Sequence, residues 1–199
     1  VLVLAVAIAV TAVTSVGFFT DRVGRAMTLR SAEVMAADLV LRSRSLISTD
    51  YATKAKTLGL DVAEVREFPS VIVVGEDITL LVSVKAVSSA YPLRGALTIA
   101  DRPAGEPYSP RSGPVAGAAW GDARFWAQSQ LAPGATITLG RLDLTLKQVI
   151  QREPDRGQFL FDLAAPRLLI GLDDLGATGL VTEASRVRYR LLLAGDAPA

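Results

Sequence analysis

Residues 1–19 read VLVLAVAIAVTAVTSVGFF and contain no charged side chain. As an α-helix at ~1.5 Å per residue the run would extend roughly 28 Å, close to the ~30 Å hydrocarbon core of a bilayer. It closes on Phe18 and Phe19, and the first charges, Asp21 and Arg22, follow at once. Aromatic rings next to a guanidinium mark a membrane–water interface, so Phe18, Phe19 and Arg22 are the expected interfacial residues of a transmembrane helix over 1–20. Two other readings stand beside it. A cleaved secretory leader would carry a basic start, an apolar centre of about 7–15 residues and a small-residue cleavage site, which this run does not offer. A buried core helix would need the rest of the chain to cover all its faces. The first residue is Val rather than Met, which reads as a piece of a longer protein or a processed product. Without the flank before Val1, the balance of Lys and Arg cannot orient the helix.

Working outward, a helical pattern persists to about residue 36, with Phe19, Val23, Met27 and Val34 near one stripe. This predicts a stalk over 21–36, continuous with the membrane helix. The period then changes. Residues 37–43 are strand-like, and 49–58 read as a short helix with Thr49 as N-cap and Gly59 as its stop. Residues 62–68 alternate until Pro69 breaks them, 71–74 are a β-branched run, Gly75-Glu76-Asp77 is a turn, and 78–87 continue as a strand. Between 91 and 115, Pro92, Pro103, Pro107, Pro110 and Pro114 predict a surface excursion. A short helix over 122–131, a Pro133-Gly134 turn and a hairpin of 135–139 with 142–149 around Gly140 follow. Apolar stretches at 159–163 and 168–172 precede Asp173-Asp174. The run 186–193 predicts a central final strand that returns beside the first, leaving 195–199 to head back toward the membrane. The fold class is α+β: core segments 37–90 and 164–196, with 91–163 as an inserted β-rich subdomain.

Composition excludes several chemistries. With no Cys and no His among 199 residues, disulfides, structural zinc, a Cys nucleophile and a Ser-His-Asp triad are out of reach. Lys+Arg 21 against Asp+Glu 20 leaves a net charge of +1, with no basic block interleaved with aromatics, so no nucleic-acid partner is expected. No Gly-Lys dipeptide occurs, so the chain has no P-loop of its own, and G-x-G-x-x-G and G-x-S-x-G are absent too. No metal and no cofactor is expected.

The carboxylate pairs Glu76-Asp77 and Asp173-Asp174 sit at expected turns, where adjacent side chains diverge. Arg152-Glu153-Pro154-Asp155-Arg156 is more specific. Two guanidinium groups and two carboxylates around a proline can lock a loop by bidentate pairing, so Arg152, Glu153, Asp155 and Arg156 are expected to form a structural latch, against the alternative of a rigid solvated turn. Tyr91-Pro92-Leu93-Arg94-Gly95 reads as a turn in which Tyr91 packs and Gly95 takes an unusual backbone angle. Trp120, Phe125 and Trp126 read as core residues rather than an apolar ligand face.

The chain resembles the extracytoplasmic region of FtsX-like/MacB-like permease subunits of ABC transporters, and within them the YbbP-type predicted permeases. The resemblance is carried by Val16-Gly17-Phe18-Phe19-Thr20-Asp21-Arg22-Val23, Ala37-Asp38-Leu39-Val40-Leu41, Lys85-Ala86-Val87 with Tyr91-Pro92-Leu93-Arg94-Gly95, Arg152-Glu153-Pro154-Asp155-Arg156-Gly157, Ala165-Pro166-Arg167, and Ser185-Arg186-Val187 with Tyr189-Arg190-Leu191. It implies a first transmembrane helix followed by a MacB-like periplasmic core domain, a porter-like α+β subdomain carrying the insertion. It also implies a bacterial inner-membrane location with residues after about 20 in the periplasm, a cytoplasmic ABC ATPase partner that binds the ATP, and mechanotransmission through the stalk. For the YbbP-type group it further implies export or extraction of hydrophobic or lipid-like compounds, contact with membrane lipid, and a neighbouring periplasmic esterase.

The resulting expectation is a non-catalytic permease segment. Its rivals are a membrane-anchored or secreted binding module without a transport role, and a membrane-tethered hydrolase using Ser with Lys, for which Lys54, Lys56, Lys85 and Lys147 are the only lysines available as a base, or an Asp pair.

Overall fold

The apolar run is the first part of a single helix, α1 (Leu2–Met35), unbroken through the stalk. This computed structural model describes residues 2–74, 78–157, 164–182 and 185–196, without the side chains of 5, 8, 9, 25–32 and 78. The predicted turn at 75–77, the apolar stretch 159–163 and the tail end 197–199 lie outside the described residues. In α1 the hydroxyls of Thr11, Thr14 and Thr20 donate to the carbonyls of Ala7, Val10 and Val16 at 2.7–2.9 Å, which satisfies the polar side chains inside the helix itself. Leu2, Val3, Leu4, Val13, Phe18 and Phe19 are all exposed, and at 3.6 residues per turn they point to every side. Among the described residues, no helix is long and apolar enough to cross a membrane.

Beyond Met35 come β1 (Leu39–Ser43), α2 (Thr49–Thr57), β2 (Asp61–Val74) and β3 (Ile78–Val87). They are followed by β4 (Thr98–Ala100), β5 (Ala118–Asp122), α3 (Ala123–Ser129), β6 (Thr136–Leu139) and β7 (Leu142–Arg152). The last elements are β8 (Arg167–Gly171), α4 (Leu175–Thr178) and β9 (Arg188–Ala194). The strand order is β1-β9-β2-β3-β8-β5-β7-β4, with β6 pairing both β2 and β7. That double pairing closes a ring, β2-β3-β8-β5-β7-β6, to which β9, β1 and β4 are added outside. Strands of 91–163 and strands of the flanking segments therefore share one sheet.

Strand alternation divides the core in two. Val82, Val84 and Ala86, Ile137 and Leu139, Leu144 and Leu146, and Leu168 and Ile170 pack with Phe125 and Trp126 in one cluster. Their neighbours of opposite parity, Val87, Trp120 and Leu169, pack with Ala36, Tyr91, Leu97 and Ile99 in the other.

Three local expectations are corrected. The cap of α2 is Ser48, whose hydroxyl accepts from the Asp50 amide at 3.2 Å, one residue before the expected Thr49. Pro69 does not break its strand: β2 runs through it. Ser83, its partner on β3, gives its amide to Pro166 on the far side, so Pro69 and Ser83 form a non-hydrogen-bonded pair. The proline nitrogen then faces the other edge, where β9 stops at Glu67 and β6 begins only at Ile72, and no ladder bond is lost. The excursion over 91–115 is not wholly on the surface. Tyr91, Leu97, Ile99 and Ala100 are buried, and β4 pairs β7, because the short alternation at 97–100 survives inside a Pro-rich segment.

The β6–β7 turn is fixed by a docking contact. Gly140 has φ +63°, and a Cβ there would lie 2.2 Å from the Thr178 carbonyl oxygen, to which Arg141 donates at 2.9 Å. Gly140→Ala is therefore expected to cost about 2–3 kcal/mol, combining left-handed strain with displacement of α4; urea denaturation of the two proteins side by side checks it.

Candidate functional site

Lys85 sits two residues before the end of β3 and is fully buried. Its strand partner on β2 is Glu67. Two residues earlier on β3, Ser83 lies beside Arg167 at the start of β8. Arg190 enters from β9, which pairs the opposite edge of β2. The turn after β7 then places Glu153 and Asp155 over these strands. All six charged side chains are buried, three cations against three carboxylates.

The bonds are short and shared. The Lys85 ammonium donates to Glu153 Oε1 at 2.6 Å, to Asp155 Oδ1 at 2.7 Å and to Tyr91 Oη at 2.7 Å, while lying 4.3 Å from the Tyr91 ring centre. The Tyr91 hydroxyl donates to the same Asp155 oxygen. Arg167 donates through Nε to Glu153 Oε2 at 3.1 Å and through Nη1 to Ser83 Oγ at 2.8 Å. Arg190 donates to Asp155 Oδ2 at 2.7 Å. Glu67 stands apart: its nearest cations, Lys85, Arg167 and Arg190, lie at 3.7–3.8 Å, and its Oε2 accepts no hydrogen bond.

The titration of each group follows from this difference. Burial pushes Asp155 upward, but Lys85, Arg190 and the bonds from Lys85 and Tyr91 overcome it and hold the carboxyl well below its usual range. Glu153 is lowered in the same way: burial opposes, and Lys85 and Arg167 prevail. For Glu67 burial wins over its three distant cations, and its pKa is raised. Burial, with Asp155 and Glu153 behind it, raises the Tyr91 phenol.

The cluster is joined to the end of α1. Arg190 Nη2 donates to the Met35 carbonyl at 3.5 Å, and the Leu93 and Arg94 amides both donate to the Ala36 carbonyl at 3.1 Å. Arg94 grips Asp38 through two bonds at 2.8–2.9 Å and also donates to the Gly195 carbonyl. Gly95, at φ +74°, is wedged so that a Cβ would meet Pro154 Cβ at 2.9 Å and the Glu33 carbonyl oxygen at 3.0 Å. The 91–95 turn thus touches the ion cluster through Tyr91 and the helix end through Leu93, Arg94 and Gly95.

The expected latch is drawn differently. Glu153 and Asp155 are brought together, but neither Arg152 nor Arg156 pairs with them. Arg152 is exposed at the end of β7, and Arg156 reaches Asp122, the cap of α3, at 2.6 Å. A turn this tight points neighbouring side chains apart, so the carboxylates take partners from β3, β8 and β9. Sequence reasoning missed Lys85, Glu67, Arg167 and Arg190 as a group. The available signal was a lysine at a core position inside the strand Val82-Ser83-Val84-Lys85-Ala86-Val87. Trp120, Phe125 and Trp126 are buried in the core. Phe18, Phe19 and Arg22 lie exposed on α1. Among the described residues, no group of His, Cys, Asp or Glu could hold a metal ion.

The fold is that of an ABC transporter's extracellular domain: the extracellular domain of the ABC-type transporter YknZ from Gram-positive bacteria superposes with a TM-score of 0.53, at 10% identity over 76% of this chain and 74% of that one. The periplasmic region of MacB from Actinobacillus actinomycetemcomitans is a weaker likeness, with a TM-score of 0.48 and 12% identity over 87% of this chain and 82% of that one. In sequence, the chain is 33% identical over 193 residues, 97% of its length, to the uncharacterized ABC transporter permease YbbP of Escherichia coli strain K12. It spans 23% of that relative's length. No family model matches the chain.

Removing one partner from a buried pair strands the other charge, so Asp155→Asn is expected to cost about 3–5 kcal/mol at neutral pH, whereas Arg152→Ala should stay within about 0.5 kcal/mol. Because the folded pKa values of Asp155 and Glu153 are depressed, their contribution is full above the unfolded carboxylate range near pH ~4 and is lost as pH falls through the folded values. Glu67, raised, has the opposite sign: the stability it contributes when protonated is lost as pH rises through its folded value, and Glu67→Gln should cost less than Asp155→Asn. Denaturant unfolding of the variants at neutral and acid pH measures all three.

Proposed function

We propose that the chain is the first membrane helix and periplasmic domain of an ABC transporter permease subunit in a bacterial inner membrane. It couples ATP hydrolysis by a cytoplasmic ATPase partner to the export or extraction of hydrophobic or lipid-like compounds by mechanotransmission, and has no catalysis of its own. Membrane lipid and a periplasmic esterase are its further proposed partners. The observation that carries the reading is the junction at Met35–Asp38: one continuous helix, apolar on every side over its first half, delivers its last carbonyls to Arg190, Leu93 and Arg94. The apolar half fits a helix held in lipid, where threonine hydroxyls must find partners inside the helix.

In this mechanism a push or rotation of α1 moves the Met35 and Ala36 carbonyls. The 91–95 turn and β9 must follow or break their bonds. Tyr91 and Arg190 then pass the movement to Asp155, and from there to the strands holding Lys85 and Arg167. Hydrogen bonds and ion pairs are suited to this, because they lose strength steeply with misalignment, whereas apolar contacts slide.

The test is the distance between spin labels at residues 17 and 134, measured in the permease with its ATPase partner, with and without ATP. A nucleotide-dependent change that Arg94→Ala abolishes, while ATP turnover persists, is the expected result. An unchanged distance in the unsubstituted protein would favour an anchored binding module.

A further inference from the structure

On the sheet face beside the ion cluster lies a cleft of about 660 Å³, lined by Glu67, Phe68, Pro69 and Ser83 from β2 and β3, by Val187 and Arg188 at the start of β9, and by Arg44, Ser185 and Arg186. Its size falls within the ~300–1,000 Å³ of small-molecule sites. Two kinds of surface meet in it. Phe68, Pro69 and Val187 supply an apolar wall. Arg44 and Arg186 are exposed and have no carboxylate partner among the described residues, and Arg188 has an interaction of its own.

Among the described residues the one carboxylate of the lining is Glu67, and it does not make the cleft acidic, because Lys85, Arg167 and Arg190 stand behind it at 3.7–3.8 Å. The balance at the surface is therefore positive. Guanidinium groups bind carboxylate and phosphate oxygens in a fork, with two parallel hydrogen bonds.

We propose that this cleft binds a small organic anion with an apolar body, its acidic head held by Arg44 and Arg186 and its body laid against Phe68, Pro69 and Val187. The ligand comes from the aqueous phase rather than from a bilayer surface. The end of α1 that Arg190 reaches, Met35, lies sixteen residues beyond Phe19, where the apolar run closes, and at ~1.5 Å per residue that is roughly 24 Å. Among the described residues none of α1 lines the cleft, and binding there is measurable without ATP or movement of α1, although Glu67 belongs to both the cleft and the ion cluster.

The experiment is titration calorimetry on the full chain in phosphatidylcholine nanodiscs, with empty nanodiscs subtracted. The probes are octanoate, octylammonium with the same tail and the opposite charge, and inorganic phosphate with charge and no tail. Octanoate is expected to bind saturably with one-to-one stoichiometry, and the double variant Arg44→Ala/Arg186→Ala to weaken it at least tenfold at an unchanged melting temperature. Arg186→Glu alone, at an exposed position, gives the same readout should the double variant fold poorly. Octylammonium binding as tightly as octanoate would reduce the site to apolar adsorption. Phosphate binding equally well would leave a plain anion site. Full affinity in the variants, or binding only to phosphatidylglycerol vesicles, would equally overturn the proposal.

Discussion

Three cations and three carboxylates removed from water impose the tightest constraint on this domain. An unpaired buried charge costs several kcal/mol even after the protein relaxes around it, while a well-packed apolar substitute would cost nothing of the kind. The cluster can persist only if Lys85, Arg167 and Arg190 stay within bonding distance of Glu153 and Asp155. These five residues come from four segments, so β3, β8, β9 and the turn after β7 must keep their mutual register. Slipping any one strand by a residue would turn its charge into the apolar side of the sheet. The cluster therefore acts less as a source of net stability than as a condition on how the strands assemble.

That condition extends to α1. Asp155 shares its oxygens among Lys85, Tyr91 and Arg190, and the last two lead directly to the helix end: Arg190 by its bond to Met35, Tyr91 by the short turn that carries Leu93 and Arg94 to Ala36. Asp38 and Gly195 complete the junction, since Asp38 receives both Arg94 and the Gly195 amide. Gly195, just past the end of β9, therefore lies beside the point where α1 enters the domain.

Much of this layout is legible in the residues. The helix over the first 35 positions follows from an uncharged run and a persistent period. The hairpin around Gly140 follows from Pro133-Gly134 and the flanking alternation, and the last strand returns beside the first as expected, although it lies next to the edge and outside the ring rather than at the centre. Other parts needed tertiary information. Pro69 looks like a break because its own sequence does not reveal that the edge it faces is empty. The β4 strand hides among prolines because three residues are too few to show a period. The latch was half visible: Glu153 and Asp155 announce themselves beside Pro154, but their partners lie 14 to 70 positions away in sequence. Yet Lys85, Tyr91, Arg167 and Arg190 all fall in the short segments that carry the permease resemblance. Weak motifs scattered along the chain converge on one cluster.

The choice of ions over an apolar core at this position has a mechanical consequence. A core of Leu and Val tolerates small displacements, because dispersion contacts are many, weak and nearly directionless. A network in which one ammonium serves two carboxylates and a phenol does not, because moving it relieves one bond only by straining the others. Glu67 is the exception, with ion-pair separations and no hydrogen bond at Oε2. It is also the member that lines the open cleft. The stiff part of the cluster is bonded to the helix junction, whereas its loosest member is buried without such bonds, so movement arriving from α1 would be carried through Asp155 and would find its freedom at Glu67.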